Sequence, residues 1–165
     1  MNIRPERTED AAAIRATLIS AFPGSAEADL VERLRRDGDL ALALVADDAG
    51  RLHGYAAFPK LAVEDAGRTY GAVALAPVAV TPDRQRLGIG GALVREGHRL
   101  LVAQGFAIVF VLGDPDYYAR LGYDLDAAAS FESVYAGPYF MALRLSEDAP
   151  RGGRVRYPAA FAQLA

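Results

Sequence analysis

Two short stretches of this chain carry residue types suited to chemistry. The first, Gln85-Arg86-Leu87-Gly88-Ile89-Gly90, lies between an apolar strand pattern from Ala76 to Val80 and a helix pattern that runs from near Gly88 to about Gln104. The first amides of a helix have no internal partner, and the helix dipole adds partial positive charge there. Such a turn is a socket for anionic phosphate. Gly88 and Gly90 lack a Cβ, so a ligand can come close to the backbone. Arg84 and Arg86 add charge beside the same turn. Together these residues point to a ligand that carries a pyrophosphate. The second stretch, Tyr117-Tyr118-Ala119-Arg120-Leu121-Gly122-Tyr123, has the form Tyr-x-x-x-Gly-aromatic directly after another apolar run.

Two familiar phosphate sockets fail on inspection. A P-loop closes on Gly-Lys-Ser/Thr, and no such run follows Gly90. A dinucleotide fingerprint needs a third small residue where this chain has Leu93, and no N-terminal strand-first unit precedes the turn. An ordinary glycine-tolerant helix start is the plain alternative.

Composition narrows the classes. A chain of 165 residues, 52% of them apolar and 24% charged, suits one soluble domain with a real core. A net charge of −3 leaves no electrostatic footprint for nucleic acid. The chain has no Cys, so thiolate nucleophiles and zinc–thiolate sites are excluded, and with only His53 and His98 a histidine-based metal site is not expected. The opening Met1-Asn2-Ile3-Arg4-Pro5-Glu6 is no signal peptide, and no apolar run reaches membrane-spanning length. A cytoplasmic address is the expectation.

The elements that must position the two motifs follow from periodicity. Ile3 opens a short strand. Thr8 is expected to cap a helix over about residues 9–20, and Ser25 a second helix that ends at Gly38. Leu40 to Ala46, Leu52 to Val63 and Thr69 to Val80 read as strands, the second interrupted at Pro59. Asp47-Asp48-Ala49-Gly50 is a hairpin turn. Pro77 cannot donate to a ladder, so it marks a bulge in the third strand rather than an edge. The long helix buries Ile89, Leu93, Leu100 and Leu101 and ends at Gly105; Gly97 costs it about 1 kcal/mol relative to Ala. Phe106 to Leu112 then returns parallel to the third strand. A short helix runs from Gly113-Asp114-Pro115 to Leu121, and Gly122-Tyr123-Asp124-Leu125 turns into another strand. Residues 126–137 read as a loop with a strand fragment, Tyr139 to Leu145 as a strand, and Arg154 to Phe161 as a packed tail.

The order strand, Gln-x-x-Gly-x-Gly, helix, strand, Tyr-x-x-x-Gly-aromatic resembles the GNAT superfamily of acetyl-CoA-dependent N-acyltransferases, most closely over residues 76–123 and loosely over 1–145. Gly113-Asp114-Pro115 and Tyr157-Pro158-Ala159-Ala160-Phe161 are similar to a bacterial group whose substrates are unassigned. The resemblance implies an α/β (α+β) fold: a mixed, mostly antiparallel sheet of six to seven strands, a parallel central pair splayed at a bulge, and about four flanking helices. One domain over 1–165 is expected, its core at about 1–145 and its tail at 146–165. Acetyl-CoA would be the co-substrate. Gln85, Arg86, Leu87, Gly88, Ile89, Gly90 and Gly91 would cradle its pyrophosphate, and Val78, Ala79 and Val80 would pair with the pantetheine arm. An amide near Val78 would polarise the thioester carbonyl, and Tyr118 would protonate the departing thiolate. The partner would be an amine acceptor, with neither nucleic acid nor membrane, and a homodimer through the late strands is allowed by the apolar Tyr139-Phe140-Met141.

Some residues depart from the pattern. Many GNAT relatives place a Glu on or near the third strand, but Thr69 to Val80 holds no acid. Glu27, Asp29 and Glu64 are the nearest substitutes, and the base stays unassigned. Asp114 stands where many relatives carry Asn and reads instead as a helix cap. Tyr117 reads as a packing residue, His98 as a surface or satisfied histidine, His53 as a strand residue and Arg35-Arg36 as a solvated helix face. Phe22, Phe58, Phe131, Tyr135 and Tyr139 read as pocket or core. A non-catalytic acyl-CoA-binding sensor that kept the socket is the alternative function.

Overall fold

The apolar runs pair into one nine-stranded sheet in the computed structural model, which describes residues 1–164. The strands are β1 (Asn2–Pro5), β2 (Leu40–Asp48), β3 (Arg51–Asp65), β4 (Arg68–Ala74), β5 (Val78–Val80), β6 (Ile108–Leu112), β7 (Phe131–Glu132), β8 (Phe140–Arg144) and β9 (Gly153–Arg156). The helices are α1 (Ala11–Ala21), α2 (Ala26–Asp37), α3 (Ile89–Ala103), α4 (Pro115–Ala119) and α5 (Leu125–Ala129). The spatial order is β1-β2-β3-β4-β6-β8, and the ladders are antiparallel except for β4–β6 and the short β7–β9. The mixed, mostly antiparallel fold expected from the sequence is present. The strand total exceeds the expected six to seven because the third strand divides and because β7 and β9 are separate short pieces.

That division creates the site. Ala76 N–H donates to Ala57 O (3.0 Å), and Ala57 N–H donates to Pro77 O (3.1 Å). Two residues therefore oppose one, the definition of a bulge, and Pro77 needs no N–H there. The register against β3 shifts by one across it, from Lys60↔Val73 and Leu61↔Ala72 to Ala56↔Val78 and Gly54↔Val80. The Ala76–Pro77 peptide is cis. The parallel ladder between β4 and β6 ends where Leu75 N–H reaches Phe110 O (2.8 Å). Beyond that point β5 stays with β3, while β6 continues with β8 as far as Leu112↔Phe140. A gap opens between β5 and β6.

Close packing fixes α3 beside this gap. A Cβ at Gly54 of β3 would meet Leu93 Cδ1 at 2.9 Å, and a Cβ at Gly97 of α3 would overlap the ring of Phe58. These two missing side chains let α3 lie close on the sheet, which is why Gly97 is tolerated in mid-helix. Leu93, Val94 and Leu101 fill the layer between them. On the other face α1 and α2 cover Val45, Tyr55, Ala57 and Ala79.

Several sequence expectations need correction. β3 runs unbroken through Pro59, because Pro59 falls where the partner changes from β2 to β4 and no ladder N–H is missed. Thr8 does not cap α1; Thr8–Asp10 forms a 3-10 turn in which Arg7 N–H donates to Asp10 Oδ2 (2.7 Å). The strand expected after Gly122 is only a bridge, Asp124↔Ala142. Asp124 then caps α5, a fifth helix, through Asp126 N–H (3.0 Å). The tail does pack: Ala160 and Phe161 bury against Leu30 and Leu34 of α2.

Candidate active site

The turn before α3 presents backbone rather than side chains. Gly88 is its N-cap at φ 85°, and Arg86 also takes a left-handed conformation at φ 65°. For Arg that conformation costs about 1–3 kcal/mol, a strain that the surroundings must sustain. The first helical bond runs from Ala92 N–H to Gly88 O (3.0 Å). The amides of Gly88, Ile89, Gly90 and Gly91 have no partner among the described residues. Their side is lined by Arg84, Gln85, Arg86 and Asp114 in a cavity of about 440 Å³. Gln85 Nε2 donates to Val80 O (3.0 Å), which draws the turn back onto β5. Arg84 is held near Asp48 (3.5 Å), whereas the Leu87 side chain is 68% exposed and contributes only backbone.

The neighbouring strand offers an edge that no other strand among the described residues pairs. Thr81 N–H bonds His53 O (2.9 Å), so alternate residues of β5 face β3. Ala79 is one of these. Its backbone faces Tyr55, and its side chain is buried on the α1 side. Expected to share the coenzyme with its neighbours, Ala79 instead anchors the strand. Val78 and Val80 turn their polar groups to the gap, and their side chains lie 3.7–4.0 Å from where a Cβ on Gly90 would stand. Strand edge and helix mouth are thus adjacent.

Tyr118 stands where two cavities meet. It borders the socket cavity and also a second one of about 440 Å³ on the other side of Val78. The motif around it has a local cause. Tyr118 O accepts from both Leu121 N–H (3.0 Å) and Tyr123 N–H (3.1 Å), and Gly122 at φ 97° permits that reversal. Its ring lies on Gly113, where a Cβ would come within 2.5 Å. Burial, and then Tyr117, push its phenol up to about 12. It therefore carries its proton at neutral pH. Asp114 caps α4 through Asp116 N–H (3.0 Å), as expected.

Comparison with known proteins agrees with this geometry. The sequence profile of the "Acetyltransferase (GNAT) domain" matches residues 2–125. This chain belongs to the GNAT family of acetyltransferases. It is 40% identical over 166 residues to the uncharacterized N-acetyltransferase YhbS of Escherichia coli K12, covering 98% of each chain. The crystal structure of E. coli YhbS in complex with CoA superposes with a TM-score of 0.91 at 38% identity, covering 99% of this chain and 93% of that one. A GNAT acetyltransferase from Brucella melitensis in complex with acetyl-CoA gives 0.81 at 36% identity, covering 97% of both chains.

In this GNAT chain the second cavity has one of the three substitute acids in its lining. Phe22, Glu27, Leu30, Pro77, Leu112, Tyr135, Tyr157 and Phe161 line it together with Tyr118. Of the three substitute bases, Asp29 bonds Arg15 (3.1 Å) and Ser25 (3.0 Å), and Glu64 pairs with Arg156 (3.4 Å). Glu27 alone borders the cavity, and its Oε1 is buried with no hydrogen-bond partner among the described residues. Phe22 and Tyr135 line the cavity, whereas Phe58 and Phe131 are core and Tyr139 is exposed.

The readings of Tyr117 and Arg35 shift, while those of His98 and His53 do not. Tyr117 is 40% exposed, and its hydroxyl stands 3.1 Å from the Cβ position of Gly90, inside the socket rather than in a packed layer. His98 is half-buried, 2.7 Å from Tyr123 Oη, and its imidazole is pushed down to about 4 by burial and by Arg95. His53 is buried near Thr81 Oγ1 (3.4 Å), away from both cavities. Arg35 is not a free surface cation; it grips Glu6 at 2.9 and 3.0 Å. Among the described residues no cluster of His, Asp or Glu could hold a metal, and no helix is long and apolar enough to cross a membrane.

Proposed function

We propose that this chain moves an acetyl group from acetyl-CoA to a primary amine by direct attack in a ternary complex. One observation carries the reading: unpartnered amides at the mouth of α3 adjoin the free edge of β5, and Tyr118 borders both that cavity and the one beyond Val78. The CoA and acetyl-CoA held by the E. coli and B. melitensis relatives support it.

In this reading the amides of residues 86–91 take the diphosphate, with Arg86 and the Tyr117 hydroxyl beside them. Val78 and Val80 pair with the pantetheine arm as a mock strand in the gap left by the bulge. The thioester then lies between Val78 and Tyr118. The Val78 amide donates to the thioester carbonyl, so it stabilises the oxyanion as charge develops there. The amine nitrogen forms the C–N bond, the C–S bond breaks, and Tyr118 gives its proton to sulfur. A thiol has a reference pKa of about 8.5 and this phenol stands at about 12, so the transfer is uphill in water and is helped where the site desolvates the departing thiolate and raises its basicity. Holding the two reactants together supplies several kcal/mol more.

Thiol release from acetyl-CoA, measured against a panel of amines beside a coenzyme titration, tests the reading. The expected result is amine-dependent release that Tyr118→Phe suppresses while acetyl-CoA still binds. Tight binding with no transfer to any amine would reduce the protein to an acyl-CoA sensor.

A further inference from the structure

The side chains lining the acceptor cavity are apolar or aromatic, three of them tyrosines, with a single carboxylate among them. Its walls are Phe22, Leu30, Leu112, Tyr135, Tyr157 and Phe161, with the bulge segment as floor. Glu27 is its sole charged lining residue among those described. Glu27 sits in the first turn of α2, yet Oε1 neither caps that helix nor meets an arginine. A buried carboxylate oxygen without a donor costs about 1–3 kcal/mol or more, because it has given up water for nothing. Its neighbours on α2 avoid that cost: Asp29 and Glu32 both reach Arg15. Glu27 lines the same cavity as Tyr118.

We infer that Glu27 receives the acceptor's ammonium and takes its proton, and that the acceptor is a monoamine with an apolar or aromatic body. This rests on the acetyl-transfer reading above. One carboxylate balances one positive charge. A polyamine would bring further charges that no second carboxylate of this cavity balances. On binding, the ammonium gives one proton to Glu27, which holds it through the attack and releases it to water afterwards. The free nitrogen then attacks the thioester. The proton it sheds on becoming an amide balances the one that Tyr118 gives to sulfur, so the products are the acetamide and CoA thiol.

The test compares wild type with Glu27→Gln, using 2-phenylethylamine and spermidine as acceptors. In wild type, kcat/KM for 2-phenylethylamine is expected to exceed that for spermidine at least about tenfold and to be nearly independent of pH below the amine's own titration. Glu27→Gln is expected to lower it by roughly 10²–10⁴, the range for a positioned base. The remaining rate should rise about tenfold per pH unit, because only free amine then reacts. Acetyl-CoA affinity should be unchanged, and the melting temperature should not fall, because the variant removes a buried carboxylate oxygen that has no donor. Glu27→Ala, a good helix former at that position, should repeat the loss. If Glu27→Gln keeps the wild-type rate and flat pH profile while Tyr118→Phe loses activity, the inference about Glu27 is wrong and acetyl transfer stands. If spermidine is preferred, the acceptor class is wrong. If wild type binds acetyl-CoA and acetylates no amine, both readings fall.

Discussion

Tyr118 and Glu27 line one cavity, and only the first is legible in the sequence. The Tyr-x-x-x-Gly-aromatic spacing selects Tyr118 because Gly122 must reverse the chain onto its carbonyl, and that requirement is local. Glu27 carries no such mark. Three acids are equivalent in the sequence until the fold gives Asp29 and Glu64 to arginines and leaves one oxygen of Glu27 bare. Tyr117 escapes a sequence reading for the same reason, since its position over Gly90 depends on where α4 docks. Replacing Tyr118 with Phe removes the proton but keeps the ring against Gly113. The expected outcome is a fall in kcat of roughly 10²–10⁴ with little change in acetyl-CoA affinity, measured by steady-state kinetics and titration calorimetry. Because the phenol is held up at about 12, wild-type activity should show no loss of its acid form anywhere between neutrality and pH 10. His98 gives a pH effect of a different kind. Its folded pKa is pushed down from 6.5 to about 4, so between those values the unfolded chain binds the extra proton. Stability should therefore fall as pH drops from 6.5 to 4 and level off below. His98→Gln should flatten that part of the curve in denaturant titrations.

At the scale of elements, the bulge at Pro77 and the pitch of α3 make the site. The bulge can be read from sequence because a proline inside a strand with neighbours on both sides must sit at a break in the ladder. The closeness of α3 cannot. Gly97 looks like a weak point in a helix, whereas it is the place where Phe58 of β3 presses in. Helix α5 is hidden because Gly122 to Leu125 reads as a turn into a strand and the small residues after it as loop, although an Asx cap followed by Ala-rich sequence also starts a helix. Gly97→Ala weighs these effects directly. Helix propensity alone would gain about 1 kcal/mol, while overpacking against the ring costs about 1–3 kcal/mol or more. The clash should win. The variant is expected to be less stable and to bind acetyl-CoA more weakly, because the mouth of α3 moves away from β5. Adding Phe58→Leu should recover part of both losses, and a double-mutant cycle in chemical denaturation reads the coupling.

Across the molecule, one buried network ties the acceptor side to the sheet. Tyr55 Oη on β3 donates to Glu6 Oε1 (2.8 Å), and Arg35 at the end of α2 clamps the same carboxylate. Burial and Glu6 hold the Tyr55 phenol far above its ordinary range, so it stays a donor. Glu6→Ala should leave that hydroxyl unpaired and cost about 1–3 kcal/mol of stability. By loosening α2, which carries Glu27, it should also raise KM for the amine more than for acetyl-CoA. None of this can be read from a sequence in which Glu6 and Arg35 look like surface charges. The central claim is narrower than the network: free amides before and within the first turn of α3 hold a diphosphate, and the gap between β5 and β6 takes the arm attached to it. A crystal structure of this protein with CoA tests it most directly. The expected density places the diphosphate within hydrogen-bond distance of the amides of Gly88 to Gly91, with the arm along Val78 and Val80 and the sulfur beside Tyr118. Density for the arm anywhere other than that gap, with those amides facing only water, would contradict the account.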